Sequence, residues 1–145
     1  MKSKLPQKGE QVTAVINGLG HSGEGVGRVN DFTVFIPGAL SGETVTATLV
    51  EVKKNYARGR LEKILEPSAE RVQPPCKVHG RCGGCQLQHL AYPAQLQIKR
   101  QQVIDALTRI GKIENPIVHE TLGMSDPWHY RNKMQLPVGY ANGQL

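Results

Sequence analysis

All three cysteines of the chain lie within ten residues, in the stretch CKVHGRCGGC at residues 76–85. They are Cys76, Cys82 and Cys85, and their spacing is C-x5-C-x2-C. A C-x2-C pair can bring two sulfur atoms to one metal centre, and nearby glycines let the backbone wrap closely around it. An odd number of thiols fits a disulfide framework poorly. We therefore expect metal ligands in this loop.

Two kinds of metal centre are compatible with this spacing. The three thiolates can hold three corners of an iron-sulfur cluster whose fourth cysteine comes from sequence outside the chain. Alternatively, His89 can complete a Cys3His zinc site, because it follows Cys85 at an acceptable C-x3-H spacing. His79, inside the loop, is the weaker ligand candidate. Spacing alone does not separate the two centres.

The charge of the chain indicates a polyanionic partner. The formal net charge is +6, and it is unevenly distributed. Residues 1–70 hold 9 Lys and Arg against 8 Asp and Glu, whereas residues 71–145 hold 9 against 4. A basic protein favours polyanions because each neutralised phosphate releases counterions. A merely solvated basic surface is the alternative.

The run KKNYARGR at residues 53–60 is a candidate nucleic-acid contact. Four cations surround one tyrosine between two predicted strands, a pattern typical of phosphate contacts with a ring for base stacking. A solvated loop with a half-buried tyrosine is the alternative. The candidate residues are Lys53, Lys54, Tyr56, Arg58 and Arg60.

The first 66 residues predict five strands separated by glycine turns, in a mainly β fold with some α structure. The strands correspond to QVTAVINGLG, EGVGRVN, TVFIPGAL, ETVTATLVEVKK and ARGRLEKILEP. Five short strands in so few residues indicate a small closed barrel. The fourth strand should point Val45, Ala47, Leu49 and Val52 inward, with a bulge near Val50. The glycines of HSGEGVGR predict a turn, since Arg28 stands where a dinucleotide-binding loop has glycine.

The period of the sequence becomes helical after the proline-rich linker PSAERVQPP at residues 67–75. Residues 93–110 predict one amphipathic helix, with Pro93 in its first turn and Gly111 at its end. The apolar face should carry Leu96, Val103, Leu107 and Ile110, and the opposite face Lys99, Arg100 and Arg109.

The last residues predict a short strand and loop in IENPIVHETLG and a further strand in WHYRNKMQLPVGY. The pair Asn142 and Gly143 is a hairpin signal that only two residues follow. We therefore expect the chain to be a piece of a longer protein. The sequence has no apolar run that could span a bilayer and no secretory signal, so we expect a soluble cytoplasmic protein.

The motifs together resemble the start of the RNA uracil-5-methyltransferase family, and among its members the 23S rRNA enzymes. The resemblance rests on GEGVGR, FIPGALSGE, PPCKVHGRCGGCQLQHLAYPAQLQIKRQQV and WHYRNKMQLPVG. It implies that the barrel is an OB-like TRAM domain and that the central domain after it is α+β. It also implies that Cys76, Cys82 and Cys85 hold a [4Fe-4S] cluster whose fourth cysteine lies beyond the YRNK segment.

The same resemblance implies an enzyme that uses S-adenosylmethionine to methylate uracil in RNA, with ribosomal RNA as partner. The family's catalytic domain has no counterpart in these residues, so we expect this chain by itself to be inactive. Arg131 and Lys133 of YRNK join the candidate RNA contacts.

We expect three regions: an RNA-binding barrel at 1–67, a linker and iron-sulfur loop at 68–92, and a helix with the start of the central domain at 93–145. The rival hypothesis is a stand-alone RNA-binding module with a Cys3His zinc site that uses His89.

Overall fold

The computed structural model describes residues 6–133, 135, 138–140 and 142–143. Its strands are β1 (Gln11–Leu19), β2 (Gly25–Val29), β3 (Phe32–Ile36), β4 (Thr44–Val52) and β5 (Tyr56–Glu66). The helix α1 (Tyr92–Asp105) follows and continues into one π-helical turn, Ala106–Ile110. The predicted class, mainly β with one helix, is confirmed. Within these residues no helix is long and apolar enough to cross a membrane.

The five strands form a closed barrel in the order β1-β2-β3-β5-β4. Strands β3 and β5 pair in parallel, and the other neighbours are antiparallel. Closure pairs every strand on both sides and so removes exposed sheet edges. A five-stranded barrel of this kind is OB-like, as predicted.

Alternation along β4 fills the barrel core. Val45 and Ala47 are fully buried and Leu49 is 1% exposed, while Val52 packs against the same core from a partly buried position. The pairing of β4 with β5 shifts register between Leu49 and Glu51, which is where the sequence predicts a bulge. The extra residue lets the strand bend around the barrel without turning its apolar side outward.

The glycines of β2 are required by close packing inside the barrel. Gly25 and Gly27 face the core. A Cβ atom on Gly27 would lie 2.6 Å from the carbonyl oxygen of Val15, and one on Gly25 would lie 2.9 Å from Cβ of Ala39. Gly23 has φ +84 in the turn before the strand, a conformation that favours glycine. The predicted turn is confirmed at Gly23, and Gly25 and Gly27 are needed for close packing inside the barrel.

A second apolar cluster attaches the segment after the barrel to the barrel itself. It contains Leu40, Leu90 and Ala94 as buried residues, with Leu19, Leu87 and Ile98 packed around them. Because Leu40 and Leu19 belong to the barrel and the others do not, the cluster fixes the cysteine loop and the start of α1 against the barrel.

A buried ion pair reinforces this attachment. Glu43 is fully buried and accepts hydrogen bonds from Nε and Nη2 of Arg71 at 2.6 and 2.9 Å. The backbone N–H groups of Leu40 and Ser68 donate to the same carboxylate. Burial alone would raise the pKa of Glu43, but these hydrogen bonds and the Arg71 charge outweigh burial and hold the pKa below its ordinary value.

The helix forms where predicted, but its buried face differs from the predicted one. Pro93 lies in the first turn and Gly111 caps the end, as expected. Ala94 is buried and Ile98 packs partly against the second cluster, whereas Val103 and Ile110 are 49% and 83% exposed. The reason is that the cluster lies beneath the first turns of α1, so tertiary contacts rather than the apolar period select the buried side chains.

The two strands predicted after the helix are wrong for the residues that the structure describes. Residues 113–123, 128–133, 135 and 138–140 form bends and irregular chain without a ladder. A strand is stabilised by its pairing partner, and an alternating pattern alone supplies none. Met134, Leu136 and Pro137 lie outside the described residues, as do Ala141, Gln144 and Leu145 of the predicted hairpin. Asn142 and Gly143 have φ 52 and 79, which suit a two-residue hairpin turn.

Candidate nucleic-acid interface

An aromatic pair lies on the outer face of the barrel, where β3 and β5 run side by side. The rings of Phe35 and Tyr56 meet edge to face, with centroids 5.6 Å apart and planes at 84°. Val34 and Ile36 point inward on β3 and Ala57 does so on β5, so the alternation turns this pair outward. Both rings are half-buried and can offer apolar surface to a base.

The cations of residues 53–60 lie on β5, the strand that carries Tyr56, or in the turn before it, and three of them contact glutamates. Nζ of Lys53 lies 2.8 Å from Oε1 of Glu51, and Nε of Arg58 lies 3.8 Å from Oε2 of the same residue. Arg60 donates to Oε1 of Glu62 through Nε and Nη2 at 3.1 and 3.0 Å. The hydrogen bond with Lys53 lowers the pKa of Glu51 and raises that of Lys53. Such exposed ion pairs contribute little to stability, so a phosphate can replace the carboxylate at little cost.

Sequence reasoning missed two residues of this face. Arg28 on β2 is exposed and lies opposite Thr33 of β3, which extends the cationic surface beyond residues 53–60. Phe35 was counted only as part of a strand. The sequence did contain a sign of its position. Phe35 stands between Val34 and Ile36 on one strand, so a barrel that buries those two side chains must turn Phe35 outward.

The cysteine loop presents three free, exposed thiols, Cys76, Cys82 and Cys85. Gly80 and Gly83 reverse the chain with φ 81 and 74, and the N–H of Cys82 donates to the carbonyl of Val78 at 3.0 Å. In the part of the chain that the structure describes, no three His, Cys, Asp or Glu side chains are grouped as a metal site. The assignment of the thiols as cluster ligands therefore stays a prediction.

The rival zinc ligand, His89, is the most buried polar group of this region. Its side chain is 3% exposed, and among the residues that the structure describes neither Nδ1 nor Nε2 has a hydrogen-bond partner. Its ring lies 5.4 Å from the ring of His79. Burial, followed by the charge of Arg71 and by His79, lowers the pKa of His89 to about 4, so the imidazole is neutral near pH 7.

The candidates in YRNK are exposed and lie outside the barrel. The Arg131 guanidinium lies 5.9 Å from the centroid of the Tyr130 ring, and a hydrogen bond with Tyr130 raises its pKa. Arg131 lines an open groove beside α1 that Cys85 and Gln95 also line. Lys133 is exposed.

Comparison with known proteins assigns the barrel. The TRAM domain family matches residues 6–61, which contain all of β1 to β4 and about half of β5. Residues 6–61 are a TRAM domain.

The whole chain also has close relatives. It is 50% identical over 145 residues to proteins named uncharacterized RNA methyltransferase from Listeria monocytogenes and Listeria innocua, and 49% identical over 146 residues to one from Clostridium tetani. These alignments cover all of this chain and 32% of each relative. The chain, with its TRAM domain, is thus a homologue of these proteins that spans about a third of their length.

Two solved structures are similar to parts of the chain. A conserved protein from Methanococcus maripaludis is 27% identical, with a TM-score of 0.40, over 43% of this chain and 90% of that one. The tRNA (uracil-54, C5)-methyltransferase of Pyrococcus abyssi, in complex with S-adenosyl-L-homocysteine, is 31% identical, with a TM-score of 0.47, over 70% of this chain and 22% of that one. Both TM-scores are low, and the fold of the TRAM domain rests on its own strand order.

Proposed function

We propose that this chain is the RNA-binding part of an S-adenosylmethionine-dependent RNA (uracil-5-)-methyltransferase that acts on 23S ribosomal RNA. The observation that carries RNA binding is the outer face of the TRAM domain, where Phe35 and Tyr56 lie among cations. The names of the homologues support methyl transfer to RNA. The resemblance of the cysteine segment and of YRNK to the uracil-5 family supports the choice of uracil and of ribosomal RNA.

The geometry of the face suggests how a single strand would bind. Phosphates would take the place of Glu51 and Glu62 beside Lys53, Arg58 and Arg60. Neutralising these phosphates would release counterions from the RNA. Bases would stack on the exposed parts of Phe35 and Tyr56, which tolerates any sequence because every base has a π-face. Specificity for one uracil would then depend on the rest of the longer protein.

The same proposal assigns a role to each region of the chain. We assign RNA binding to residues 1–67, a linker and cluster loop to 68–92, and a helix with the start of a central domain to 93–145. All three cysteines of the sequence lie in the loop at 76–85. A covalent methyl transfer needs a further nucleophilic thiolate, so this chain by itself should transfer no methyl group.

We further propose that Cys76, Cys82 and Cys85 bind a [4Fe-4S] cluster with a fourth cysteine from outside the chain. The residues are of the type that an iron-sulfur cluster needs, because three free thiols share one loop. Gly80 and Gly83 give the backbone of this loop the freedom to wrap around a cluster. When bound, the cluster would supply a structural centre and no catalytic step.

Iron, zinc and acid-labile sulfide should be measured after anaerobic purification of the wild type, Cys82→Ser and His89→Ala. Iron with sulfide that is lost in Cys82→Ser and kept in His89→Ala supports the cluster. Zinc without sulfide, lost in both variants, would favour the stand-alone zinc module.

RNA binding itself is tested by fluorescence anisotropy with a labelled single-stranded RNA of ten nucleotides. Tyr56→Ala and Arg58→Ala should each weaken binding by about fivefold to tenfold, since one stacked base or one phosphate contact is lost. Arg109→Ala is the matched control, because Arg109 is an exposed cation at the end of the helix that lines neither the groove of Arg131 nor the surface around Phe35 and Arg58. Wild-type affinity in both barrel variants would refute the assigned face.

A further inference from the structure

A cavity of about 360 Å³ lies between the barrel and the cysteine loop. The barrel contributes Glu24, Phe35 and Arg58 to its wall, and the loop contributes His79 and His89. The second apolar cluster and the Arg71–Glu43 pair fix the two sides against each other. The cavity is thus a built feature, placed beside the aromatic face of the TRAM domain.

Several buried polar atoms at this cavity have no partner within the described residues. They are both ring nitrogens of His89, Nδ1 of His79 and Oε2 of Glu24. Buried polar groups are nearly always hydrogen-bonded, and an unpaired one costs free energy. The neutral imidazole of His89 offers one donor and one acceptor. An occupant that presents a donor and an acceptor on its edge would therefore satisfy these atoms.

The rest of the wall indicates a planar occupant that carries phosphate. Phe35 and His79 supply aromatic surface for stacking, and the Arg58 guanidinium supplies a cation at the same wall. The volume falls in the range of small-molecule sites. A single metal ion would leave most of it empty. Of the three thiols proposed as cluster ligands, Cys85 lines this cavity and Cys76 and Cys82 do not, so the cavity is not the centre that all three would share.

We propose that this cavity binds one unstacked nucleobase of the RNA, with its edge hydrogen-bonded to His89 and Glu24 and its phosphate beside Arg58. The proposal rests on the proposed RNA-binding function and adds a base-reading site to it. Protein recognition of RNA commonly takes splayed-out bases, and OB-like barrels bind oligonucleotides on the strands and loops that border this cavity. A captured base would hold the strand in one register on the TRAM domain.

The test uses the full chain and the four nucleoside 5′-monophosphates as probes. Saturation-transfer NMR measures the binding of each nucleotide. We expect at least one nucleotide to bind with its base protons receiving the strongest saturation, and ribose 5-phosphate to bind at least about tenfold more weakly because it lacks the base. His89→Leu should weaken nucleotide binding about tenfold. His119→Leu is the matched control, since His119 is exposed and does not line the cavity.

A second variant covers the case in which His89→Leu fails to fold. Glu24→Gln keeps the side-chain shape and replaces an acceptor oxygen by a donor, so it should change the order of preference among the four nucleotides. Thermal unfolding of each variant identifies any loss of folding.

Three outcomes would overturn the base site. Ribose 5-phosphate or inorganic phosphate could bind as tightly as the nucleotides, the wild type could bind no nucleotide, or both variants could bind nucleotides as the wild type does. The ten-nucleotide RNA is titrated into the same samples. If the RNA binds while the nucleotides do not, the base site fails and the proposed function stands. If the RNA does not bind, the proposed function fails.

Discussion

Single residues determine how strongly the TRAM face can attract a phosphate. Glu51 contacts both Lys53 and Arg58, and Glu62 contacts Arg60. Each glutamate places a negative charge where a phosphate would bind. The sequence run KKNYARGR therefore overstates the available positive charge, because its partners come from residues on either side of it.

Glu51→Gln should strengthen RNA binding. The substitution removes one anion next to Lys53 and Arg58, so we expect an affinity about twofold to fivefold higher at low salt, with the difference shrinking as salt rises. Fluorescence anisotropy at two salt concentrations measures both effects. Glu114→Gln, at an exposed site after the helix, is the control for the change in net charge. Equal affinities for Glu51→Gln and the wild type would show that Glu51 does not compete with phosphate.

His89 should make the fold sensitive to mild acid. Its pKa is lowered to about 4, and its ordinary value is 6.5. Between these values the unfolded state binds the proton more readily, so stability is complete above pH 6.5 and is lost as the pH falls toward 4. The shift in pKa corresponds to a loss of about 3 kcal/mol in the free energy of unfolding between pH 6.5 and 4.

Urea denaturation at pH 7, 5.5 and 4 measures this loss, and NMR titration of the His89 ring measures its pKa. His89→Gln cannot titrate and should lose most of the pH dependence between pH 6.5 and 4. A variant with the same dependence as the wild type would assign the effect to other groups.

At the scale of elements, the barrel depends on the small volume of the glycines in β2. A Cβ atom on Gly27 would meet the backbone oxygen of Val15 in the neighbouring strand β1. Backbone atoms cannot move aside as the end of a long side chain can. The alternation of the sequence predicted a strand here, but not which strand it would approach so closely.

Gly27→Ala should destabilise the barrel by about 2 kcal/mol, because overpacking against a backbone oxygen forces a shift of β1 or β2. Gly18→Ala is the matched control: Gly18 lies in β1, and a Cβ atom there meets nothing within 4 Å. We expect the control to change the free energy of unfolding by less than about 0.5 kcal/mol. Chemical denaturation compares the two, and a similar loss in both would contradict the packing argument.

At the scale of the whole molecule, the Glu43–Arg71 pair joins the barrel to the segment that carries the cysteine loop. The carboxylate is fully buried and the arginine is mostly covered. Arg71 also donates to the carbonyl of Gly38 at 2.7 Å, which adds a second contact with the barrel. Loss of the pair would therefore affect both the barrel and the position of His89.

Arg71→Met should cost about 3–5 kcal/mol near pH 7, because it leaves the buried carboxylate of Glu43 without its counter-ion. In the wild type the pKa of Glu43 is lowered, so its contribution is present above pH 4.5 and lost as the pH falls through the folded pKa. In the variant, burial would no longer be opposed by Arg71 and would raise the pKa of Glu43. Acid protonates the carboxylate and removes its need for a counter-ion, so the free energies of unfolding of variant and wild type should differ less at low pH.

Denaturation at pH 7 and pH 4 tests both parts of this prediction. Arg109→Met is the control, since Arg109 and Asp105 form an exposed pair at 3.9 Å that should contribute little. A loss below about 1 kcal/mol in Arg71→Met would mean that the pair is not needed to hold the segment.

The sequence by itself determined the local features of this protein. Alternation along β4 predicted its inward residues and its bulge, because a half-buried strand has a period of two wherever it lies. Pro93 and Gly111 predicted the limits of the helix, because they act through the backbone of their own turns. The barrel class followed from five such strands in about 60 residues.

Only the tertiary structure decided which groups meet. It paired Glu43 with Arg71, 28 positions apart, and Phe35 with Tyr56 across the parallel strands. It also placed the His89 side chain at a cavity, where neither ring nitrogen has a partner among the described residues. It left Val103 and Ile110 exposed on a helix whose apolar period predicted burial. These outcomes depend on contacts between distant segments, and the local period of a sequence carries no record of which segment will lie opposite.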